Sequence, residues 1–170
     1  MTASLRPAEP ADYATIATWV ADADTCLRWA GPRVHFPFKA EELAQQLAIP
    51  GGGESLTMVD KDLAGSGVCG FGQHWVVTPG SVHLGRIIVS PTLRGKGAGR
   101  QLGQLLVAAA VKSTGAGTVT LRAYRDNTDA VRMYTKLGFA AVPSASTEEL
   151  VFMKLLVKRS TADDTLRRMA

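Results

Sequence analysis

Seven residues near the middle of the chain combine glycines with cations in a pattern suited to binding an anion. Residues 94–100 read Arg-Gly-Lys-Gly-Ala-Gly-Arg, directly after the apolar run of residues 87–89 and directly before an apolar pattern of helical period. A glycine-rich turn at a helix N-terminus exposes backbone N–H groups and lets them approach a ligand without an intervening Cβ. The segment therefore predicts a cradle for a phosphate or a diphosphate.

Two familiar phosphate-binding loops do not match this segment. In the P-loop of nucleotide triphosphatases the lysine is followed by serine or threonine, whereas Lys96 is followed by Gly97. The dinucleotide fingerprint requires the spacing G-x-G-x-x-G, whereas Gly95, Gly97 and Gly99 are spaced G-x-G-x-G. The ligand is therefore not expected to be bound by either of these nucleotide-binding motifs.

A third kind of coenzyme loop matches, and a second motif supports it. The loop reads Arg94-x-x-Gly97-x-Gly99 and is preceded by Val89-x-Pro91; the later motif reads Asn127-x-x-Ala130-x-x-x-Tyr134-x-x-x-Gly138-Phe139. Together they resemble the acetyl-CoA motifs of the GCN5-related N-acetyltransferase (GNAT) superfamily. The predicted order of elements from Leu5 to Leu156 is also that of the superfamily, so the resemblance covers nearly all of the chain except its C-terminal tail.

The resemblance implies an acyltransferase that uses acetyl-CoA as the acyl-donor cosubstrate and no metal. The acetyl group would pass by direct attack to a primary amine of a small molecule or a protein, with the thioester held between two parallel strands that splay apart. The alternative is a catalytically weak acyl-CoA-binding module that serves as a sensor or an interaction partner. The acceptor itself has no recognisable motif.

The resemblance also implies roles for individual residues. The backbone of Ile88 and Val89 would pair with the pantetheine arm, which Asn127 would also contact. Tyr134 lies where the family often has a general acid for the departing thiolate, and a packed tyrosine is the alternative. The residues that would hold the diphosphate are Arg94, Gly95, Lys96, Gly97, Ala98, Gly99 and Arg100.

A general base for the acceptor amine is harder to assign. The two predicted central strands, residues 82–89 and 118–124, contain no carboxylate. His83 is the candidate base, since its ordinary pKa suits proton transfer near neutrality, and it is predicted to share a strand face with Ile87 and Val89. A histidine of the core is the alternative, and weaker candidates for the base, which could reach the cleft only through a loop or through water, are His74, Glu54 and Glu148. Positioning alone can also supply much of the rate, so a dedicated base is not required.

The elements that position these residues are predicted to form an α/β fold with a mixed sheet. An antiparallel meander is followed by a right-handed β-α-β crossover, which makes the two central strands parallel. Helices are predicted over residues 10–23, 39–49, 97–114 and 128–137, strands over residues 4–6, 55–60, 68–77, 82–89, 118–124, 139–142 and 149–156, and an irregular aromatic-rich segment over residues 24–38. Residues 1–157 are expected to be a single GNAT domain and residues 158–170 a polar tail.

The composition sets the broad class of protein. A chain of 170 residues with 46% hydrophobic and 20% charged residues is typical of a globular domain. The net charge of +4 is partly concentrated at Arg86 and the glycine loop, which favours an anionic ligand over a nucleic-acid partner. No apolar run suffices to cross a bilayer and no signal-peptide profile is present, so a cytoplasmic protein without a membrane partner is expected; a homodimer is left open. Cys26 and Cys69 are predicted to be reduced.

Overall fold

The computed structural model describes residues 2–63, 65 and 67–158, so the predicted polar tail lies almost wholly outside the described residues. Within them the chain forms an α/β structure with one seven-stranded sheet and five α-helices. The elements are β1 (Ala3–Pro7), α1 (Pro10–Ala17), α2 (Ala23–Ala30), α3 (Ala40–Gln46), β2 (Glu54–Asp60), β3 (Val68–Thr78), β4 (Ser81–Val89), α4 (Ala98–Thr114), β5 (Thr118–Tyr124), α5 (Thr128–Lys136), β6 (Ala140–Ala141) and β7 (Leu150–Leu156). Short 3-10 helices span Pro91–Leu93 and Pro143–Ala145.

The strand order confirms the predicted mixed sheet. The strands lie in the order β1-β2-β3-β4-β5-β7-β6, and β4 with β5 is the one parallel pair among the described strands. Helix α4 connects these two strands and packs on one face of the sheet, where its Leu102 and Leu106 are part of the core. Helices α1–α3 cover part of the other face, where Ile16 and Phe71 are fully buried. Apolar side chains on both faces therefore fix the two central strands.

The two central strands separate soon after they begin. Only three residues of β4, Ser81 to His83, pair with β5, opposite Thr118 to Thr120. Beyond them β4 continues to Val89 and β5 to Tyr124 without pairing to each other. The predicted splayed parallel strands are thus present, and a gap opens between them.

A β-bulge in β4 accompanies this separation. Gln73 of β3 pairs with Gly85 and Phe71 pairs with Ile88, so β4 carries one residue more than β3 over this stretch. Arg86 lies in the bulge with φ 52°, a left-handed conformation that is uncommon for a residue other than glycine. Bulges bend a strand and increase its twist, which directs the second half of β4 away from β5.

The N-terminal helical region differs from its prediction. Helix α1 ends at Ala17, and α2 occupies residues 23–30, most of which were predicted to be irregular. The reason is a helix cap: the Asp22 carboxylate accepts a 2.7 Å hydrogen bond from the Thr25 amide and starts a new helix. Trp19 and Val20, predicted on one long helix, are buried in the turn between the two helices.

The cysteines agree with the expectation from composition. Cys26 and Cys69 are free and buried, and burial raises the pKa of both thiols, that of Cys69 to about 11. Both side chains are therefore protonated and poorly reactive at neutral pH. In the described part of the chain no helix has the length and apolar character of a membrane span, and no three His, Cys, Asp or Glu side chains are grouped around a potential metal position.

Candidate active site

The glycine loop connects the end of β4 to the start of α4. Gly95 and Gly97 adopt left-handed conformations with φ 73° and 86°, and Gly97 is the N-terminal cap of α4. A Cβ at either glycine would meet no protein atom within 4 Å, so both face open space. The backbone of the loop is therefore accessible to a ligand from outside.

Most of the amides of this loop are free to bind an anion. The amides of Arg94 and Lys96 donate weakly within the loop, to Pro91 and Leu93. Five further amides donate to no acceptor with hydrogen-bond geometry in the described part of the chain. They belong to Gly95, Gly97, Ala98, Gly99 and Arg100. They lie at the positive end of the 17-residue helix α4, where a bound anion is stabilised.

The loop side chains add positive charge to the same place. Arg94, Lys96 and Arg100 are exposed, and no carboxylate lies within 4 Å of them among the described residues. The arrangement can hold a diphosphate on backbone amides with cations around it. Which of these groups contact a ligand stays a prediction.

Ile88 and Val89 lie between the loop and the gap. Their backbones pair with Phe71 and Gly70 of β3 on one side, and on the other side they face β5 without pairing to it. Unpaired strand backbone can form hydrogen bonds with an extended ligand in the same way as with another strand. The predicted pairing with a pantetheine arm is compatible with this geometry.

A cleft of about 660 Å³ lies on the face of the sheet opposite α4. Helix α2, the bulge and the second half of β5 enclose it, and the Trp29 indole N–H donates a 2.8 Å hydrogen bond to the carbonyl oxygen of Arg86 in the bulge. Residues that line it include Trp29, Trp75, His83, Arg86, Arg122 and Tyr124. Its volume is that of a small-molecule site.

His83 lies in the wall of this cleft, but not on the strand face that was predicted. The bulge reverses the alternation of β4, so Ile87 and Val89 pack against the α4 core, as do Val82 and Leu84 on either side of His83. The prediction that His83 shares a face with Ile87 and Val89 is therefore wrong. The imidazole instead faces the cleft side, with Nδ1 2.8 Å from the Thr120 hydroxyl.

The surroundings of His83 make its imidazole a weak base. The ring lies between Trp75 and Phe152, with centroids 5.0 and 6.4 Å away. Burial, and secondarily the positive charge of Arg122, lowers the pKa of His83 to about 4. The ring is therefore neutral at physiological pH. It can form hydrogen bonds with a bound substrate, but it is a poor base for taking a proton from it.

Tyr134 lies on the opposite face of the sheet, in the core below α4. Its side chain is 7% exposed and packs edge-to-face on Phe139, with ring centroids 5.8 Å apart. The hydroxyl has no hydrogen-bond partner in the described part of the chain, and burial raises the pKa of Tyr134 well above its usual value. The phenol is thus protonated over the working pH range.

Asn127 has a structural task that the sequence did not indicate. Its side-chain oxygen accepts a 3.2 Å hydrogen bond from the Ala130 amide and caps α5. The side-chain NH₂ has no partner among the described residues and is available to a ligand. Coenzyme contact by Asn127 stays a prediction.

Sequence reasoning named Trp29 and Trp75 as candidates to line an acceptor pocket, and both line the cleft, but it missed the arginines that α2 and the residues after it bring there. Arg28 forms a two-point ion pair with Asp126 and lies over the Tyr124 ring, 4.3 Å from its centroid, so α2 is joined to the end of β5. Arg33 follows α2 and lines the same cleft. The Asp22-x-x-Thr25 cap was the available signal, since it predicts a helix in the segment that carries these arginines.

Comparison with known proteins supports this description of the fold. The chain is similar to the spermidine N-acetyltransferase of Vibrio cholerae solved with CoA and spermine, at 18% identity and a TM-score of 0.72 over 91% of this chain and 95% of that one. It is also similar to the ribosomal-protein-S18-alanine N-acetyltransferase of Escherichia coli, at 19% identity and a TM-score of 0.65 over 94% and 96%. A GCN5-related N-acetyltransferase of Kribbella flavida shares 24% identity, with a TM-score of 0.66 over 91% and 98%.

A sequence model of one family extends across the site described above. The model of the acetyltransferase (GNAT) family matches residues 18–139, a span that includes the cleft residues of α2, the glycine loop and Tyr134. The match covers more than half of the chain, and the splayed central strands agree with it. The chain belongs to the GNAT family of acetyltransferases.

Proposed function

We propose that the protein is an N-acetyltransferase that moves the acetyl group of acetyl-CoA to a primary amine by direct attack. The observation that carries this proposal is the position of the gap between β4 and β5, which lies between the free amides of the glycine loop and the 660 Å³ cleft. The solved relatives include structures with CoA or acetyl-CoA, which supports the same donor here. The donor would enter from the loop and the acceptor from the cleft.

The chemistry assigns a task to each side of the gap. The amine nitrogen bonds to the acetyl carbonyl carbon while the carbon–sulfur bond to CoA breaks. The amine loses one proton and the thiolate of CoA gains one, so no other reactant is needed. Tyr134 would donate to the departing sulfur, and the residues that line the cleft would orient the amine.

Two measurements on the intact chain test the proposal. Acetyl-CoA should raise the melting temperature, because a ligand at about 100 times its Kd stabilises the folded state by about 2.7 kcal/mol. ATP and NAD, whose binding loops the sequence lacks, should give smaller shifts. A panel of amines and peptides should then release free thiol from acetyl-CoA.

The outcomes separate the enzyme from the alternative binding module. A melting shift with thiol release for at least one amine supports the enzyme. A melting shift without thiol release for any acceptor would identify a binding module. A larger shift with ATP or NAD than with acetyl-CoA would contradict the assignment of the loop.

We further propose that His83 orients the acceptor rather than acting as a strong base. With a pKa of about 4, its imidazole is already neutral above about pH 5, so acidification from pH 9 to 6 does not change its charge. Over this range the rate should follow the free fraction of the acceptor amine, whose own pKa is near 10 for an alkylamine. A plot of log kcat/KM against pH should therefore rise with unit slope.

The variant His83→Gln checks this role, since glutamine keeps a hydrogen-bonding group but cannot titrate. We expect kcat/KM to fall about tenfold or less with the unit slope unchanged. A fall of a thousandfold, or the loss of an acidic limb between pH 6 and 7, would instead make His83 the base. His35→Gln is the matched control, because His35 is exposed and does not line the cleft.

A further inference from the structure

The cleft on the acceptor side has a strongly one-sided charge. Four arginines line it, Arg28, Arg33, Arg86 and Arg122. None of the described residues that line it is an aspartate or a glutamate. A concave site lined by one sign of charge attracts ligands of the opposite sign.

One of the four charges is already neutralised. The Arg28 guanidinium is paired with the Asp126 carboxylate, which lies outside this cleft. Arg86 is held by neutral groups: its Nη1 donates to the Leu47 carbonyl at 2.7 Å and to the Gln73 side-chain oxygen at 2.8 Å. Its charge is thus fixed in position without being compensated.

Arg33 and Arg122 have no acidic partner. Both side chains are exposed, and within the described residues no carboxylate lies within 4 Å of either. Arg122 lies above the Phe152 ring, 5.7 Å from its centroid. The two guanidiniums influence their neighbours in the cleft, since Arg33 lowers the pKa of Arg86 and Arg122 lowers that of His83, after burial in each case.

We propose that the acceptor is a small amine that also carries a carboxylate or a phosphate, and that Arg33, Arg86 and Arg122 bind this anionic group. The inference rests on the proposed function and specifies its substrate class. Guanidinium groups bind carboxylates and phosphates through paired hydrogen bonds, which would hold the acceptor at one end while its amine faces the gap. A polyamine would meet the three uncompensated positive charges of Arg33, Arg86 and Arg122 in this cleft and would be a poor acceptor.

The remaining walls limit the rest of the acceptor. Trp29 and Trp75 contribute aromatic surface to the cleft, whose volume of about 660 Å³ accommodates a molecule of amino-acid size together with the acetyl end of the donor. The indole of Trp29 is held through its hydrogen bond to the bulge. An apolar or aromatic body between the amine and the solvent would therefore be accepted.

Pairs of amines that differ in one anionic group test the proposal. The pairs are phenylalanine with phenethylamine and phosphoethanolamine with ethanolamine, and spermidine serves as the polycationic probe. The rate of thiol release, referred to the concentration of free amine, should give the anionic member of at least one pair a tenfold or greater advantage in kcat/KM. The pair that shows it distinguishes a carboxylate from a phosphate.

The variant Arg122→Gln should remove most of that preference. We expect it to lower kcat/KM for the preferred anionic amine about tenfold or more and to leave that of its partner without the anionic group within about twofold. Lys112→Gln is the matched control, because it removes one positive charge from the last turn of α4, away from the cleft. A change in KM rather than in kcat would indicate binding of the anion, and a general loss of folding would affect both amines of a pair.

Binding measurements keep the inference testable if no amine is acetylated. The same compounds are titrated by calorimetry into the CoA-saturated protein and into Arg122→Gln. Binding of an anionic amine that weakens in the variant supports the anion site even though the proposed function has failed. Faster transfer to phenethylamine, ethanolamine or spermidine than to the anionic compounds would overturn the inference while supporting the proposed enzyme. If the protein acetylates no amine and binds neither anionic compound, the inference is overturned as well.

Discussion

An aspartate in place of Gly97 should weaken acetyl-CoA binding by about 30- to 150-fold. Gly97 caps α4 with φ 86° and a Cβ there would enter open space beside the free amides of the loop. A carboxylate about 5 Å from a bound diphosphate repels it by about 2 to 3 kcal/mol at the effective dielectric of a protein surface, which corresponds to that change in Kd. Calorimetric titration with acetyl-CoA gives the value directly.

The same position supplies the matched control. Asparagine has the shape of aspartate without its charge, and both residues tolerate the left-handed conformation better than other side chains do. Gly97→Asn should therefore share any strain or steric effect, and we expect it to retain most of the affinity. Gly115→Asn, at the other end of α4 with φ 66° and equally open space, measures the cost in stability alone.

These variants decide where the diphosphate lies. If Gly97→Asp and Gly97→Asn bind acetyl-CoA equally well, the anion is not near this helix end. If both lose binding while Gly115→Asn has normal stability and affinity, shape rather than charge at residue 97 matters. Only a loss confined to the aspartate supports the arrangement of amides described above.

The glycine loop and the order of strands β2 to β5 could be predicted because local chemistry determines them. Gly95 and Gly97 require left-handed backbone that other residues avoid, so their spacing identifies the turn before α4. The short connections between β2, β3 and β4 favour an antiparallel meander, and a helix between β4 and β5 requires a parallel pair. Each of these inferences depends on residues close together in sequence.

The arrangement of the cleft proposed for the acceptor could not be predicted in the same way. Its walls come from α2, β3, β4, β5 and β7, and their arrangement depends on one extra residue in β4. Nothing in the sequence Leu-Gly-Arg-Ile-Ile identifies Arg86 as the residue that takes φ 52°. Because side chains alternate along a strand, this single residue moves His83 to the face opposite Ile87 and Val89.

Removing one oxygen atom from Tyr134 should lower kcat by about 100-fold, the contribution typical of a positioned general acid. Tyr134→Phe leaves the packing against Phe139 intact, and the hydroxyl it removes has no partner among the described residues. We therefore expect nearly unchanged stability, because the ring packing is kept and no hydrogen bond of the hydroxyl is lost. The Kd of acetyl-CoA should change by less than about threefold, since the hydroxyl would act mainly as charge develops on sulfur.

Single-turnover thiol release, measured alongside thermal unfolding, checks this result. Tyr13→Phe is the comparison variant: Tyr13 is another buried tyrosine, 8% exposed, that packs against Phe71 in the core of the opposite face. Its hydroxyl is hydrogen-bonded to Ser55, so this variant also shows the cost of losing such a bond. Since burial raises the pKa of Tyr134, its phenol is protonated at neutral and mildly alkaline pH, and the wild-type rate should show no fall there caused by its ionisation. An unchanged kcat in Tyr134→Phe would assign the tyrosine to packing and leave solvent as the source of the proton, whereas equal losses in both variants would indicate a structural effect of either substitution.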